Sequence, residues 1–290
     1  MRQSHPVLLA SPLLSRQGVT RAAFSSSLQP PSPFLTPMCL IVFAWRPSHA
    51  VPLVVAANRD EFHARPTLPL APWEDAPGLF AGRDLQAGGT WMGITPAGRF
   101  AALTNIRAPG EPLGSRSRGE LPERYLRADM PPEEYLDRLA AQRREYSGFN
   151  LLVGDNRALW HLNSHEGVPR RLTEGVYGLS NASLDTPWPK LVRARTMLSS
   201  RLETLCTETL LQLLADDQQA AGHELPNTGV APELERLLSS VFIASRDYGT
   251  RASTALIRRS DGSLEIRERS FGPEGCLGDV QFLHPATPDL

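Results

Sequence analysis

Cysteine is scarce in this chain. Cys39, Cys206 and Cys276 are the only three in 290 residues. Their wide spacing, without a C-x-x-C or a Cys/His cluster of metal-site form, excludes a disulfide framework and a structural zinc and points to a reducing compartment. Lysine is scarcer still: Lys190 stands alone against 29 arginines, a bias that a GC-rich, bacterial genome would explain. No excess of one charge sign exists either, since 30 basic residues face 31 acidic ones for a net charge of -1. A chain so balanced has no global field to attract nucleic acid. Long apolar runs are also missing. The longest charge-free stretch, Ala22 to Trp45, is interrupted by serines and prolines, so that only Met38 to Trp45 is near-continuously apolar, far too short to span a bilayer.

At 41% hydrophobic residues, with a mean hydropathy of -0.25, the composition is globular rather than disordered. The first 37 residues differ from the rest. They carry Arg2, Arg16 and Arg21, no acid, many serines and a proline cluster from Pro30 to Pro37. Residues 1–37 are therefore expected to be a disordered extension, either upstream of a true start at Met38 or a targeting segment. The first alternative implies a cytoplasmic protein, the second a mitochondrial one. Without the three arginines of that segment, 27 basic residues face 31 acidic, a net charge of -4.

From Met38 onward the patterning alternates between hairpins and helices. Cys39 to Trp45 and Val51 to Ala57 read as one hairpin, and Gly88 to Thr95 with Arg99 to Thr104 as another. Helices fit Glu120 to Asp129 and Pro132 to Tyr146, the second with Glu133 and Glu134 at its start and Arg143 and Arg144 near its end, as the helix dipole favours. Strands return at Asn150 to Val153, Leu159 to Leu162 and Val176 to Ser180. Helices fit Trp188 to Leu202, Thr207 to Leu214 and Ala231 to Ser239, and a closing hairpin runs from Ser253 to Arg258 and Leu264 to Arg269 around Asp261-Gly262. Nothing resembles a βαβ crossover or a phosphate-binding glycine loop. The order predicts an α+β fold of antiparallel sheets covered by helices, in one domain over residues 38–290.

Cys39 is the most informative position. It follows a methionine that an aminopeptidase can remove, and a cysteine so exposed carries a thiol and an α-amine of pKa ~7.7–8.0, which is a nucleophile and a base in one residue. The same residue also reads as an ordinary buried strand cysteine. At the end of the second strand stand four polar residues, Asn58, Arg59, Asp60 and Glu61, which hairpin pairing brings beside Cys39. An arginine there would favour a thiolate, and a carboxylate would hold the α-amine; a solvated turn is the alternative. Asn105, Asn181 and Arg251, each polar at a strand edge, suit an oxyanion or a carboxylate, and both asparagines equally suit turns. Lys190, at the start of a predicted helix, suits an anionic ligand or a surface helix cap. His63, His161, His165 and His223 show no metal-ligand spacing, and no metal site is expected.

Together, M-C-L-I-V-F at 38–43, N-R-D-E-F-H-A-R-P-T at 58–67, G-R-D at 82–84, G-G-T-W-M-G at 88–93, L-T-N-I-R at 103–107 and S-R-G at 117–119 resemble, in order, the NRDE-motif family, also called the transport and Golgi organisation protein 2 family. G-F-N-L at 148–151, Y-G-L-S-N-A-S-L-D-T-P-W-P-K at 177–190 and Y-G-T-R-A-S-T at 248–254 complete the match. The resemblance implies an N-terminal-nucleophile hydrolase fold, a four-layer αββα sandwich of two antiparallel sheets. Similarity to the penicillin V acylase and bile-salt hydrolase branch would align Cys39 with the nucleophile and Arg59 with the arginine about twenty residues later. Asp60 falls next to that branch's aspartate, and Asn181 and Arg251 match its later polar groups. The implied function is a cysteine hydrolase or acyl transferase acting on an amide or other acyl bond, with no cofactor required. The alternative is a non-catalytic carrier of haem or acyl-coenzyme A, linked to haem trafficking, lipid metabolism or secretory-pathway organisation. The expected partner is thus a small acyl substrate or haem; nothing in the sequence fixes the oligomeric state.

Overall fold

A computed structural model describes residues 38–286; the expectations for residues 1–37 lie outside the described residues. In chain order the elements are β1 (Met38–Trp45), β2 (Leu53–Phe62), β3 (Thr67–Trp73), β4 (Ala76–Asp84), β5 (Met92–Ile94), β6 (Phe100–Asn105), α1 (Glu120–Arg127) and α2 (Pro132–Gln142). Then come β7 (Phe149–Gly154), β8 (Leu159–Asn163), β9 (Arg170–Arg171), β10 (Gly175–Leu179), α3 (Pro189–Ser199), α4 (Thr207–Leu214), α5 (Pro232–Leu237), β11 (Tyr248–Arg258), β12 (Leu264–Gly272) and β13 (Gly275–His284). They form a six-stranded sheet, ordered β10-β1-β2-β11-β12-β13, and a seven-stranded sheet, ordered β3 through β9. Every pairing between these strands is antiparallel. The α+β class with two antiparallel sheets is what the hairpin-rich order predicts.

Strand alternation builds the layers. In β1 and β2, Ile41, Phe43, Trp45, Leu53, Val55 and Ala57 point one way and pack against Met92, Ile94, Phe100, Ala102 and Leu152 of the other sheet. Their neighbours Leu40, Val42, Ala44, Val54 and Ala56 point the other way, onto Leu191, Ala194 and Leu198 of α3 and Leu210, Leu211 and Leu214 of α4. The second sheet is covered likewise, with Ala101, Leu103, Leu151 and Val153 packed on Leu121, Tyr125 and Leu136 of α1 and α2. Strands this apolar on both faces are buried on both, so the order is helices, sheet, sheet, helices.

Three sequence expectations need correction. β2 runs on to Phe62, so that Asn58 to Glu61 are buried strand residues and not a solvated turn. The β3–β4 hairpin was not anticipated, because Pro69, Pro72 and Pro77 interrupt the alternation; β3 is a sheet edge, where proline is tolerated. The closing hairpin is a three-strand meander, since β13 follows β12. β13 carries Gly275 and Gly278 and is mostly exposed, and it shows little apolar signal.

Candidate active site

The register of β1 against β2 sets Cys39 directly opposite Arg59 and Met38 opposite Asp60. Directly opposed residues share a face. Cys39, Arg59 and Glu61 therefore continue the stripe that lines the space between the sheets, while Asn58 and Asp60 alternate to the helix side. At that end the space between the sheets opens into a cavity of about 270 Å³, bordered by Cys39, Arg59, Glu61, Arg65, Asp84, Trp91, Asn105 and Arg118 among others.

The cavity wall is a charge network. Arg59 lies 3.6 Å from Glu61 and 3.8 Å from Asp84, and Arg65 lies 2.7 Å from Asp84 and 3.5 Å from Glu61. Arg59 also stacks over the Trp91 ring at 4.5 Å. That ring needs Gly82 beneath it, because a Cβ there would come within 2.1 Å of the indole. At the same cavity border Gly89 packs so tightly on Gly119 that a Cβ would meet backbone at 2.3 Å, and the Thr90 amide donates to the Gly119 carbonyl at 3.0 Å. The G-G-T-W and S-R-G segments are thereby clamped together.

Cys39 is 8% exposed. Burial, and then the Asp60 charge, push its thiol up to about 12 against the opposing pull of Arg59 and the Asp60 backbone amide. With Met38 attached it is thus a neutral thiol at pH 7. Its backbone nitrogen donates to Asn181 Oδ1 at 3.3 Å, and its carbonyl accepts from Ser180 Oγ at 2.9 Å. Asn181 is in turn oriented by its Nδ2, which donates to the Asn105 carbonyl at 2.9 Å. That engagement corrects the expectation of Asn181 as an oxyanion donor: it is an acceptor for the Cys39 nitrogen.

Behind the sheet the side chains are buried, although Asp60 also touches the cavity border. Asp60 accepts from Thr250 Oγ1 at 2.7 Å through one oxygen, but its Oδ2 is buried without a hydrogen-bond partner. Burial raises its carboxyl to about 6, with the charge of Lys190 the chief opposing influence. Lys190 is 2% exposed, and its Nζ is likewise buried and unpartnered; burial lowers it to about 8 while the Asp60 charge holds it up. It lines a small separate recess with Arg107, Trp188 and Glu235. Met38 fills the same side, packed among Leu238, Ile243 and Tyr248, with its sulfur 2.8 Å from Arg107 Nη2.

Four residues expected at the site do not line the cavity; one is Asn181, which is engaged with the Cys39 nitrogen and the Asn105 carbonyl. Asn58 is turned into the helix layer, where Nδ2 donates to the carbonyls of Leu214 and Val241 and Oδ1 accepts from Ser253 Oγ. Lys190 stands on the far side of the sheet, beside Asp60. Arg251 is the extra residue where the pairing of β11 with β2 shifts between Thr250 and Ala252, and its guanidinium donates to the carbonyls of Phe62, His63, Arg65 and Phe271. It braces the turn that carries Arg65. Conversely Arg65, Asp84, Trp91 and Arg118 border the cavity without having drawn a role from the sequence. All four sit inside motifs of the family resemblance, each as a charged or aromatic member, and that position was the available signal.

The family model for Transport and Golgi organisation 2 matches residues 38–273. This chain belongs to that family. Similar relatives are the transport and Golgi organization protein 2 homologs of Bos taurus, 35% identical over 258 residues, and of Homo sapiens, 33% over 257 residues; each alignment covers 81% of this chain and 93% of the relative. The Drosophila melanogaster transport and Golgi organization protein 2 is 28% identical over 264 residues, covering 81% and 92%. Among solved structures, a Caenorhabditis elegans N-acylethanolamine-hydrolyzing acid amidase ortholog aligns with a TM-score of 0.43 and 12% identity over 75% of this chain and 92% of that one, too weak a likeness to carry over its chemistry. The Transport and Golgi organisation 2 match takes in every residue of the cavity wall named here. Among the described residues, no helix is long and apolar enough to cross a membrane.

Proposed function

We propose that this chain is a cysteine N-terminal-nucleophile hydrolase that cleaves an amide or related acyl bond, acting in a reducing compartment such as the cytoplasm. The observation that supports this reading is the setting of Cys39: its sulfur faces Arg59 at the cavity wall, and its nitrogen has an acceptor in Asn181. Removal of Met38 converts that nitrogen into an α-amine whose ordinary pKa of ~7.7–8.0 suits a base near neutrality. The amine takes the thiol proton, and the sulfur attacks the acyl carbon to form a C–S bond while the carbonyl pair moves onto oxygen. Collapse expels the leaving amine, which takes the proton from the α-ammonium. Water then adds to the thioester, giving a proton to the α-amine, and the carboxylic acid departs as that proton returns to sulfur. Arg59 favours the thiolate, Asn181 orients the amine, and Asn105 borders the cavity as a donor for the oxyanion.

A chain beginning at Cys39 and one retaining Met38, each incubated with a panel of N-acyl amides and acyl thioesters, test the reading by intact mass. The expected result is an acyl adduct on Cys39 in the first chain alone. Equal adducts in both, or none in either, would overturn it.

A second reading, a non-catalytic carrier, is favoured by the burial of Cys39: with Met38 attached, its thiol is pushed up to about 12 and kept in the protonated, weakly nucleophilic form. For a carrier the fit is better to the end of an acyl cofactor than to haem. A cavity of about 270 Å³ falls below the ~300–1,000 Å³ of pockets that enclose drug-sized ligands. Its border offers no histidine, and a protonated thiol is a poor axial ligand.

A further inference from the structure

Four arginines border the cavity, and they are not equivalent. Arg59 and Arg65 share Glu61 and Asp84, and Arg116 is held by Glu120 at 2.6 Å and Glu145 at 2.8 Å. Arg118 has no carboxylate within ion-pair distance among the described residues; Nη1 donates to the Gly148 carbonyl at 2.9 Å. Burial is the main influence lowering it to about 10, against the electrostatic pull that a Cys39 thiolate would exert and that of Glu61, so Arg118 stands within electrostatic reach of both. An arginine cannot shed its proton at neutral pH, so a desolvated guanidinium without a counter-ion is a standing attraction for an anion. Nor is it on a loose loop, since the Gly89–Gly119 packing and the Thr90 amide clamp its segment. The carboxylates on the cavity border oppose an incoming anion at less than full strength, because Glu61 and Asp84 each lie within ion-pair distance of both Arg59 and Arg65.

We propose that Arg118 is the anchor for a carboxylate or phosphate group on the ligand of this cavity, so that the substrate class is an anionic acyl compound; this rests on the hydrolase reading for the position of the scissile bond only. The planar guanidinium fork suits two-point recognition of either group.

Calorimetric titration of the full chain, Met38 retained, with benzoate, phenyl phosphate and benzamide at low salt tests the anchor. At least one anion should bind ten or more times more tightly than neutral benzamide, and the tighter of the two names the group. Arg118→Gln should abolish that preference and Arg118→Lys retain part of it, while 0.5 M salt, about, should weaken the anion and leave benzamide unchanged. Should Arg118→Gln fail to fold by circular dichroism, the lysine variant and the salt response of the wild type decide. Benzamide binding as tightly as both anions, a preference that survives Arg118→Gln, or no measurable binding of any probe would each overturn the proposal. None of these titrations requires turnover. An anion preference in a chain that cleaves nothing removes the hydrolase alone, and cleavage of neutral amides without a preference removes the anchor alone.

Discussion

The two faces of β2 hold the same kinds of residue in opposite electrostatic states. On the cavity side Arg59 and Glu61 join Arg65 and Asp84 in a network where each charge has a partner. On the helix side Asn58 is fully satisfied, but Asp60 and Lys190 each keep a buried polar atom without a hydrogen bond. Four consecutive polar residues thus serve two environments because a strand turns alternate side chains to opposite faces. The wet face borders the cavity, while the dry face sets the potential behind Cys39, whose thiol feels Asp60 through the sheet. The faces should therefore respond differently to substitution: stability and titration behaviour change on the dry side, recognition on the wet side.

The largest effect is expected at Asn58. Asn58→Ala strands two buried carbonyls and a buried hydroxyl, each costing about 1–3 kcal/mol, and should lower stability by roughly 3–5 kcal/mol in urea unfolding. A loss below about 1 kcal/mol would mean that Asn58 is not the tie between β2, α4 and the segment at Val241, and the contrast between the faces would fail there.

Next comes Asp60. Its folded pKa, near 6, lies above the ordinary 3.8, so the folded chain binds the proton more tightly than the unfolded one. The protonated form suits the site, and the stability this carboxyl contributes declines as pH rises from about 4 through about 6. Asp60→Asn, which keeps an acceptor for Thr250, should match wild type below pH 4 and be more stable at pH 7 by roughly 1–3 kcal/mol, while any hydrolysis at Cys39 is lost. Parallel stability curves across that range would remove the burial argument for Asp60.

What could be read beforehand follows the same division between local and tertiary causes. The β1–β2 hairpin and the nearness of Cys39 to Arg59 were legible because an apolar run ending in four polar residues fixes both alternation and pairing. The prolines of β3 hid that strand, as an edge strand can keep hydrogen-bonding on one side despite them. Lys190 could be assigned to a helix start, but which side of a sheet the helix covers is decided by packing between distant segments. Arg118 could be seen as a member of the S-R-G motif, but its role was unreadable for a related reason. Its importance is a missing partner, and that depends on where carboxylates far apart in sequence come to rest.

A smaller loss is expected at the β11 irregularity. Arg251→Gln removes donors to the carbonyls of Phe62, His63 and Arg65, at about 1–2 kcal/mol for a half-buried group. The turn should loosen before the sheet does, so amide exchange at His63 and Arg65 should quicken while that of Val54 to Ala56 stays slow. Uniform acceleration along β2 would show that Arg251 supports the whole strand.

The smallest effect is also the most specific to the dry face. Lys190 is the leading influence holding the Asp60 carboxyl down against burial, and the two share no hydrogen bond, so the coupling between them is electrostatic rather than steric. Lys190→Met keeps an unbranched apolar stem and deletes the charge, and the Asp60 midpoint should move upward from about 6, by about half to one pH unit at the effective dielectric of protein interiors. Carbon-detected NMR titration of the Asp60 carboxyl reads this directly, whether or not the chain is catalytic. If Cys39 is a nucleophile assisted by ionised Asp60, the acid limb of its pH profile should move upward by the same amount. A midpoint that stays or falls would mean that water or backbone dipoles, not Lys190, set the Asp60 charge, and the lone lysine of this arginine-rich chain would lose its link to the cysteine on the other face.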